Sequence, residues 1–313
     1  MSKRRILITG GTGFFGKSLL HDFKQHGADN TEIVILSRNP ARFTGQNPDF
    51  ANIPGVEFIA GDVRNFPFPE ETFDAVIHAA SPTGAELERN DPVELRSIIV
   101  DGTRHILDFC QDRQVKKLLF ISSGAVYGVQ RPDCERMAEN SPCNPVTAYG
   151  KAKLESEELC SSSQVPTVIA RCFAFIGPYL PLDGHFAAGN FIADALKARA
   201  ITIQGDGRPL RSYLYADDLV RYLWTLLESD KVGEVYNIGG ERAVSISELA
   251  QLCSKLVSPP LPVKIFGKSD NSPAPRYVPD VEKIKRELGL TPAVDLEIAL
   301  QKTINFHLKD LEK

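Results

Sequence analysis

Tyr149 and Lys153 stand four residues apart in Tyr149-Gly150-Lys151-Ala152-Lys153, a spacing that puts both side chains on one face of a helix. A phenol has an ordinary pKa of about 10, so it works as an acid or base near neutral pH only with a positive charge beside it. Lys153 is that charge. Ser123, in the run Phe120-Ile121-Ser122-Ser123-Gly124-Ala125-Val126-Tyr127-Gly128, follows an aliphatic stretch and can hydrogen-bond a hydroxyl or carbonyl oxygen while Tyr149 moves its proton. The plainer role for Ser123 is to cap a turn. A lone Tyr-x-x-x-Lys is usually unremarkable helix surface, and this pair gains force from its neighbours.

The first such neighbour is Thr9-Gly10-Gly11-Thr12-Gly13-Phe14-Phe15-Gly16, which follows one aliphatic run and opens a helix with Phe15, Leu19, Leu20 and Phe23 as apolar positions. Its glycines read G-x-x-G-x-x-G. Gly10 permits a tight turn, Gly13 lets the backbone approach a pyrophosphate on the helix N-terminus, and Gly16 allows close helix packing. With Phe14 and Phe15 they form a dinucleotide site, whose oxidised nicotinamide would add a second positive charge near Tyr149. Leu36-Ser37-Arg38-Asn39 lacks the acid that holds the ribose of NAD. Ser37 and Arg38 suit a 2′-phosphate instead, which tilts the cofactor toward NADP over NAD. Asp62 and Val63 are placed to meet the adenine, and the small residues Ala79 and Ala80 to admit the dinucleotide backbone. His78 reads as a packed strand histidine.

Positioning these groups requires short strands alternating with helices. The runs Arg5 to Thr9, Glu32 to Ser37, Val56 to Ala60, Ala75 to Ala79 and Lys117 to Ser122 predict βαβ units and a parallel sheet with its ligand at the carboxyl ends of the strands. The fold class is α/β: a doubly wound Rossmann sheet over residues 1–172 with a returning strand near 232–240, and a smaller mixed α/β substrate lobe over 173–313. The helix carrying Tyr149 takes Thr147 or a neighbour as its cap. A net charge of -4 argues against a nucleic-acid partner. The six cysteines show no C-x-x-C spacing, so no metal is expected, and free thiols in a reducing cytoplasm are. After Met1-Ser2-Lys3-Arg4-Arg5 the apolar run Ile6-Leu7-Ile8 is too short for secretion or membrane spanning.

Together these motifs, with Arg171 to Pro178 and Gly205 to Asp218, occur in an order and spacing that resemble the extended short-chain dehydrogenase/reductases, specifically the NAD-dependent epimerase/dehydratase family that modifies nucleotide sugars. The resemblance runs over nearly the whole chain. It implies a catalytic triad of Ser123, Tyr149 and Lys153, with Lys153 also on the nicotinamide ribose and Ser122 beside the cofactor. It implies a nucleotide-diphosphate sugar as substrate, met by Ser81, by Asn190 and Phe191 near the diphosphate and base, and by Arg211 on the diphosphate. It also implies a homodimer through a four-helix bundle that includes the Tyr149 helix.

Within the family, the 4,6-dehydratases follow the catalytic hydroxyl with an Asp-Glu pair. Here Gly124 and Ala125 occupy those positions. Neither can give or take a proton, which excludes that dehydration and leaves epimerisation, 4-keto reduction or, less favoured, decarboxylation. Ser37-Arg38 tilts the choice toward reduction of a 4-keto sugar by NADPH, with a redox-neutral 4-epimerase retaining NAD as the alternative. Two departures leave the sugar open: Ala174 replaces an asparagine in Arg171-Cys172-Phe173-Ala174, and Asp270-Asn271-Ser272-Pro273 lacks a second diphosphate arginine, although Arg276 is near. A non-catalytic NADP-binding sensor is opposed by the intact triad, and a reductase of small aldehydes or ketones by Arg211 and its Gly-Asp-Gly loop.

Overall fold

Six aliphatic strands come first: β1 (Arg4–Thr9), β2 (Thr31–Ser37), β3 (Val56–Ala60), β4 (Ala75–His78), β5 (Lys117–Ser123) and β6 (Thr167–Cys172). Burial along β4, β5 and β6 is unbroken, as a sheet covered on both faces demands. β1 pairs in parallel with β2 and β4, β2 with β3, and β4 with β5. A late strand, Val235–Ile238, returns beside β6, giving a seven-stranded order of Val235–Ile238, β6, β5, β4, β1, β2, β3. The order reverses between β1 and β4, and in α/β sheets a ligand crevice opens at such a reversal. This computed structural model describes residues 3–27, 30–82, 85–184, 186–270 and 272–311, so Met1, Ser2 and Asn271 lie outside the described residues.

The helices in chain order are α1 (Phe14–His26), α2 (Pro40–Gln46), α3 (Ala85–Asn90), α4 (Pro92–Arg96), α5 (Gly102–Asp112), α6 (Ala148–Ser162), α7 (Ala187–Leu196), α8 (Ala216–Glu228), α9 (Ile246–Lys255), α10 (Glu282–Leu288) and α11 (Leu296–Leu311). One π-helical stretch, Ser97–Asp101, joins α4 to α5. α6 starts where its sequence says it should, because the Thr147 side chain accepts the N–H of Gly150 at 3.0 Å. A second cap comes from outside the helix: Glu88 of α3 accepts the N–H of Tyr149 at 2.9 Å, an anion where the helix dipole favours one.

Two structural units result. The first comprises Met1–Val126, Pro145–Arg171 and Val220–Tyr236; the second comprises Tyr127–Asn144, Cys172–Leu219 and Asn237–Lys313. The first half-chain therefore gives up the segment Tyr127–Asn144, while most of α8, the connection after it and the first two residues of the returning strand belong to the first unit. In the second unit, a three-stranded sheet sets Leu210–Ser212 between Ala243–Ser245 and Arg276–Tyr277. Buried Asn237 closes that unit's segments together. It accepts the Tyr127 hydroxyl at 2.8 Å and donates to the carbonyls of Met137 at 2.8 Å and Asp280 at 3.0 Å.

Candidate active site

The glycine turn between β1 and α1 is shaped by close approaches at three glycines and by open space at a fourth. Gly10 has φ +72, and a Cβ there would meet the Ala79 backbone at 2.6 Å, so the turn lies against the end of β4. Gly16 packs on its own loop rather than on a strand, since a Cβ would come within 2.1 Å of Gly11 Cα. Gly11 itself, which the sequence did not single out, faces Ile35 of β2, with a Cβ at 2.6 Å from that side chain. Gly13 is different: it is exposed, a Cβ there would meet nothing closer than the Gly10 carbonyl oxygen at 3.5 Å, and it caps α1 without a side-chain hydrogen bond. A bare Cα at an uncapped helix N-terminus fits the pyrophosphate of a dinucleotide.

Around that cradle the other cofactor candidates fall on the carboxyl ends of their strands, with differing environments. Arg38, after β2, is exposed, whereas Ser37 is buried and its hydroxyl accepts the N–H of Asn39 at 3.3 Å. After β3, Asp62 is clasped by Arg64, Nε to Oδ1 at 2.8 Å and Nη2 to Oδ2 at 2.9 Å, and Arg64 also reaches Glu94 of α4 at 2.9 Å. That guanidinium, with Arg38 as a weaker contributor, holds the Asp62 carboxyl below the usual carboxylate range despite its partial desolvation. Val63 is buried against Gly102 at the head of α5. Ala79 and Ala80 are half-buried, and the Ala80 N–H is taken up by Thr9 Oγ1 at 3.1 Å. Ser81 Oγ is buried with no hydrogen-bond partner among the described residues, an orphan that a bound ligand would satisfy.

The candidate catalytic residues sit where β5 ends against α6. Lys153 is 2 % exposed; its Nζ donates to the Ile121 carbonyl at 2.8 Å and lies 5.0 Å from the Phe120 ring centre and 5.9 Å from that of Tyr149. The ammonium is thus delivered to the phenol ring face, as the four-residue spacing requires. Tyr149 packs on the cluster of Leu95, Ile99, Val100 and Ala152. Ser123 is 8 % exposed and accepts the N–H of Ala125 at 3.2 Å. It caps the turn, yet its own hydrogen and a second lone pair remain for a substrate oxygen. The turn is the short 3-10 stretch Gly124–Tyr127, which carries no carboxylate.

Ser122 faces elsewhere. It is 2 % exposed and gives its hydroxyl to Glu157, so the side chain assigned to the cofactor in the sequence bonds within the protein. Glu157 also accepts Arg171 Nε at 3.1 Å and Nη2 at 2.7 Å, with both side chains buried. His78 is a packed histidine: Nδ1 lies 2.7 Å from Thr9 Oγ1 and Nε2 lies 3.1 Å from Thr103 Oγ1. Burial, reinforced by the Lys153 charge, drives its pKa down to about 3. Thr103 extends this chain to Ser156 of α6 at 3.2 Å. Glu88, Glu157, Thr103 and Ser156 were not selected by sequence motif. The one available signal was the repeat Tyr149, Lys153, Glu157 at successive four-residue steps.

In the second unit, Asn190 is exposed on α7, while Phe191 is 3 % exposed and part of that unit's core. Arg211 donates to its neighbour's carbonyl, Leu210, at 2.8 Å and lies 5.6 Å from the Tyr277 ring centre. The strand register pairs Tyr277 with Arg211 and Arg276 with Leu210, so Arg276 does lie beside the Arg211 strand. Asp218 accepts the N–H groups of Ala293 and Val294 at 3.0 Å and Asp217 pairs with Lys302; both anchor chain rather than face chemistry. No helix among the described residues is long and apolar enough to cross a membrane.

A doubly wound sheet, an open glycine turn at its reversal and a Tyr-Lys pair at the end of β5 define an extended short-chain dehydrogenase/reductase. Residues 6–239 match the model of the NAD dependent epimerase/dehydratase family, and the chain belongs to that family. It is 31 % identical over 309 residues to UDP-glucuronic acid decarboxylase 6 of Arabidopsis thaliana, covering 96 % of this chain and 87 % of that protein. To UDP-glucuronic acid decarboxylase 1 of Xenopus tropicalis it is 30 % identical, covering 99 % and 73 %. Among solved structures, UDP-glucuronic acid 4-epimerase from Bacillus cereus in complex with NAD superposes with a TM-score of 0.85 at 27 % identity, covering 99 % of this chain and 100 % of that one.

Proposed function

We propose that this protein oxidises or reduces a carbon of a nucleotide-diphosphate sugar, with reduction of a 4-keto sugar by NADPH as its net reaction. The observation that carries this reading is the turn after Ser123. Its residues Gly124 and Ala125 have no group that could remove or deliver a proton, so the proton chemistry at β5 and α6 falls to Tyr149 alone. A reaction that needs a second acid or base at that turn, as a 4,6-dehydration does, is disfavoured; hydride transfer coupled to one proton is not. A nicotinamide bound there would supply or accept the hydride. Tyr149 gives its proton to the sugar oxygen, Lys153 stabilises the phenolate that remains, and Ser123 donates a hydrogen bond to the same oxygen. Arg211 and Asn190 bind the nucleotide diphosphate, and the orphaned Ser81 hydroxyl takes a polar group of the ligand.

The names of the relatives favour a second reading, the epimerisation or decarboxylation of UDP-glucuronic acid with retained NAD. Both would begin with hydride removal to the dinucleotide while Tyr149, supported by Lys153, takes the hydroxyl proton. The two readings separate by identifying the dinucleotide released on denaturation and by incubating the protein with a 4-keto-6-deoxy nucleotide sugar plus NADPH, and in parallel with UDP-glucuronic acid. Stoichiometric NADPH consumption supports the reductase. Tightly held NAD with no net consumption, together with a new UDP-uronic acid or UDP-pentose, rejects it.

A further inference from the structure

α6 holds the end of β5 at two successive points. Lys153 binds the carbonyl of Ile121, and one helical turn later Glu157 takes the hydroxyl of the next strand residue, Ser122. The residue after that is Ser123. Successive turns of one helix face therefore grip successive residues of the strand, and the two elements so joined carry all three groups of the triad. Arg171, on β6, holds Glu157 for this by offering it Nε and Nη2 in a buried pair. An unpaired carboxylate at that depth would be strongly penalised.

We infer that Glu157 is a positioning residue of this active site: held by Arg171, it binds Ser122 and so sets Ser123 in register with Tyr149 and Lys153. The Ser122–Glu157–Arg171 network touches no reacting atom. Its effect is transmitted through the strand end and through the Lys153–Ile121 bond beside it. Reacting groups lose rate steeply with small displacements, so loosening this clamp acts on turnover rather than on binding. The clamp is independent of which sugar is turned over.

Substituting Glu157 or Arg171 strands a buried charge and risks unfolding, so the decisive variants are Ser122→Ala, which removes the hydroxyl and leaves the ion pair whole, and Ser122→Thr, which restores a hydroxyl. For NADPH oxidation with a 4-keto-6-deoxy nucleotide sugar, Ser122→Ala should lower kcat about tenfold to a hundredfold, leave KM and the dinucleotide Kd within about twofold, and regain most of its rate as Ser122→Thr. A substrate-free arm decides the matter even if no such sugar is accepted. Acetic anhydride labelling of Lys153 in the full-length protein, read by peptide mass spectrometry, should rise severalfold in Ser122→Ala and return toward wild type in Ser122→Thr. Unchanged kcat, or unchanged Lys153 labelling, in Ser122→Ala overturns the inference. So does a weakened dinucleotide Kd with kcat retained, which would make Ser122 a cofactor contact.

Discussion

Thr9 Oγ1, at the end of β1, lies 2.7 Å from Nδ1 of His78, at the end of β4. These strands meet at the reversal of the sheet, and Thr9 and His78 are register partners there. With Thr9 donating to Nδ1, the ring must carry its proton on Nε2, facing Thr103, whose hydroxyl in turn donates to the Ile99 carbonyl at 2.7 Å. His78 is therefore a fixed, neutral joint in the floor of the site.

His78 also makes stability fall in acid. Its folded pKa of about 3 lies below the unfolded value, so the unfolded chain takes up this proton first. The stabilising contribution is whole above an unfolded pKa of about 6.5 and declines as pH drops toward the folded value, at up to about 1.4 kcal/mol per pH unit. Denaturant unfolding between pH 7 and pH 4 should show a shallower acid decline for His78→Asn than for wild type. Equal slopes would mean that the ring does not titrate as described.

Gly13→Ala separates cofactor approach from folding. The backbone at Gly13 has φ -89 and no crowding atom, so an alanine is accommodated and the melting temperature should hardly move. The added methyl stands where the pyrophosphate must come, and dinucleotide affinity should fall by about tenfold, or about 1.4 kcal/mol. Fluorescence titration with NADPH and NADH reads this directly; undiminished affinity for both places the pyrophosphate elsewhere.

Gly10→Ala behaves oppositely. At φ +72, with the Ala79 backbone at 2.6 Å from the new Cβ, the side chain is both strained and obstructed. Left-handed backbone alone costs about 1–2 kcal/mol, so calorimetry should show a lowered Tm even without dinucleotide.

Tyr149→Phe keeps the ring packed against Leu95, Ile99 and Ala152 and removes only the proton donor. Turnover should drop about a hundredfold to ten-thousandfold, with Tm and dinucleotide Kd near wild type. Wild-type turnover in this variant would dismiss Tyr149 as the acid.

Asn237→Ala tests the second unit. Its side chain serves Tyr127, Met137 and Asp280 from a fully buried position, and truncation removes all three hydrogen bonds there, at a cost of about 2 kcal/mol or more. Urea unfolding should report the loss without a change in dinucleotide affinity.

Much of this molecule was written in local patterns. The five strands β1 to β5 begin and end within a residue of where aliphatic runs placed them, because strands buried on both faces must be continuously apolar. Thr147 as the cap of α6, the open Gly13, and Tyr149 beside Lys153 followed from spacing alone, since each depends on neighbours within one turn of chain. What spacing cannot contain is a partner far along the sequence. Glu88 capping Tyr149, Arg171 holding Glu157 for Ser122, and Thr103 joining His78 to Ser156 arise only when crossovers bring distant segments together. The sequence by itself singled out the candidate groups for the chemistry; the tertiary structure decided what holds them, because a buried polar side chain takes whichever partner folding leaves within reach.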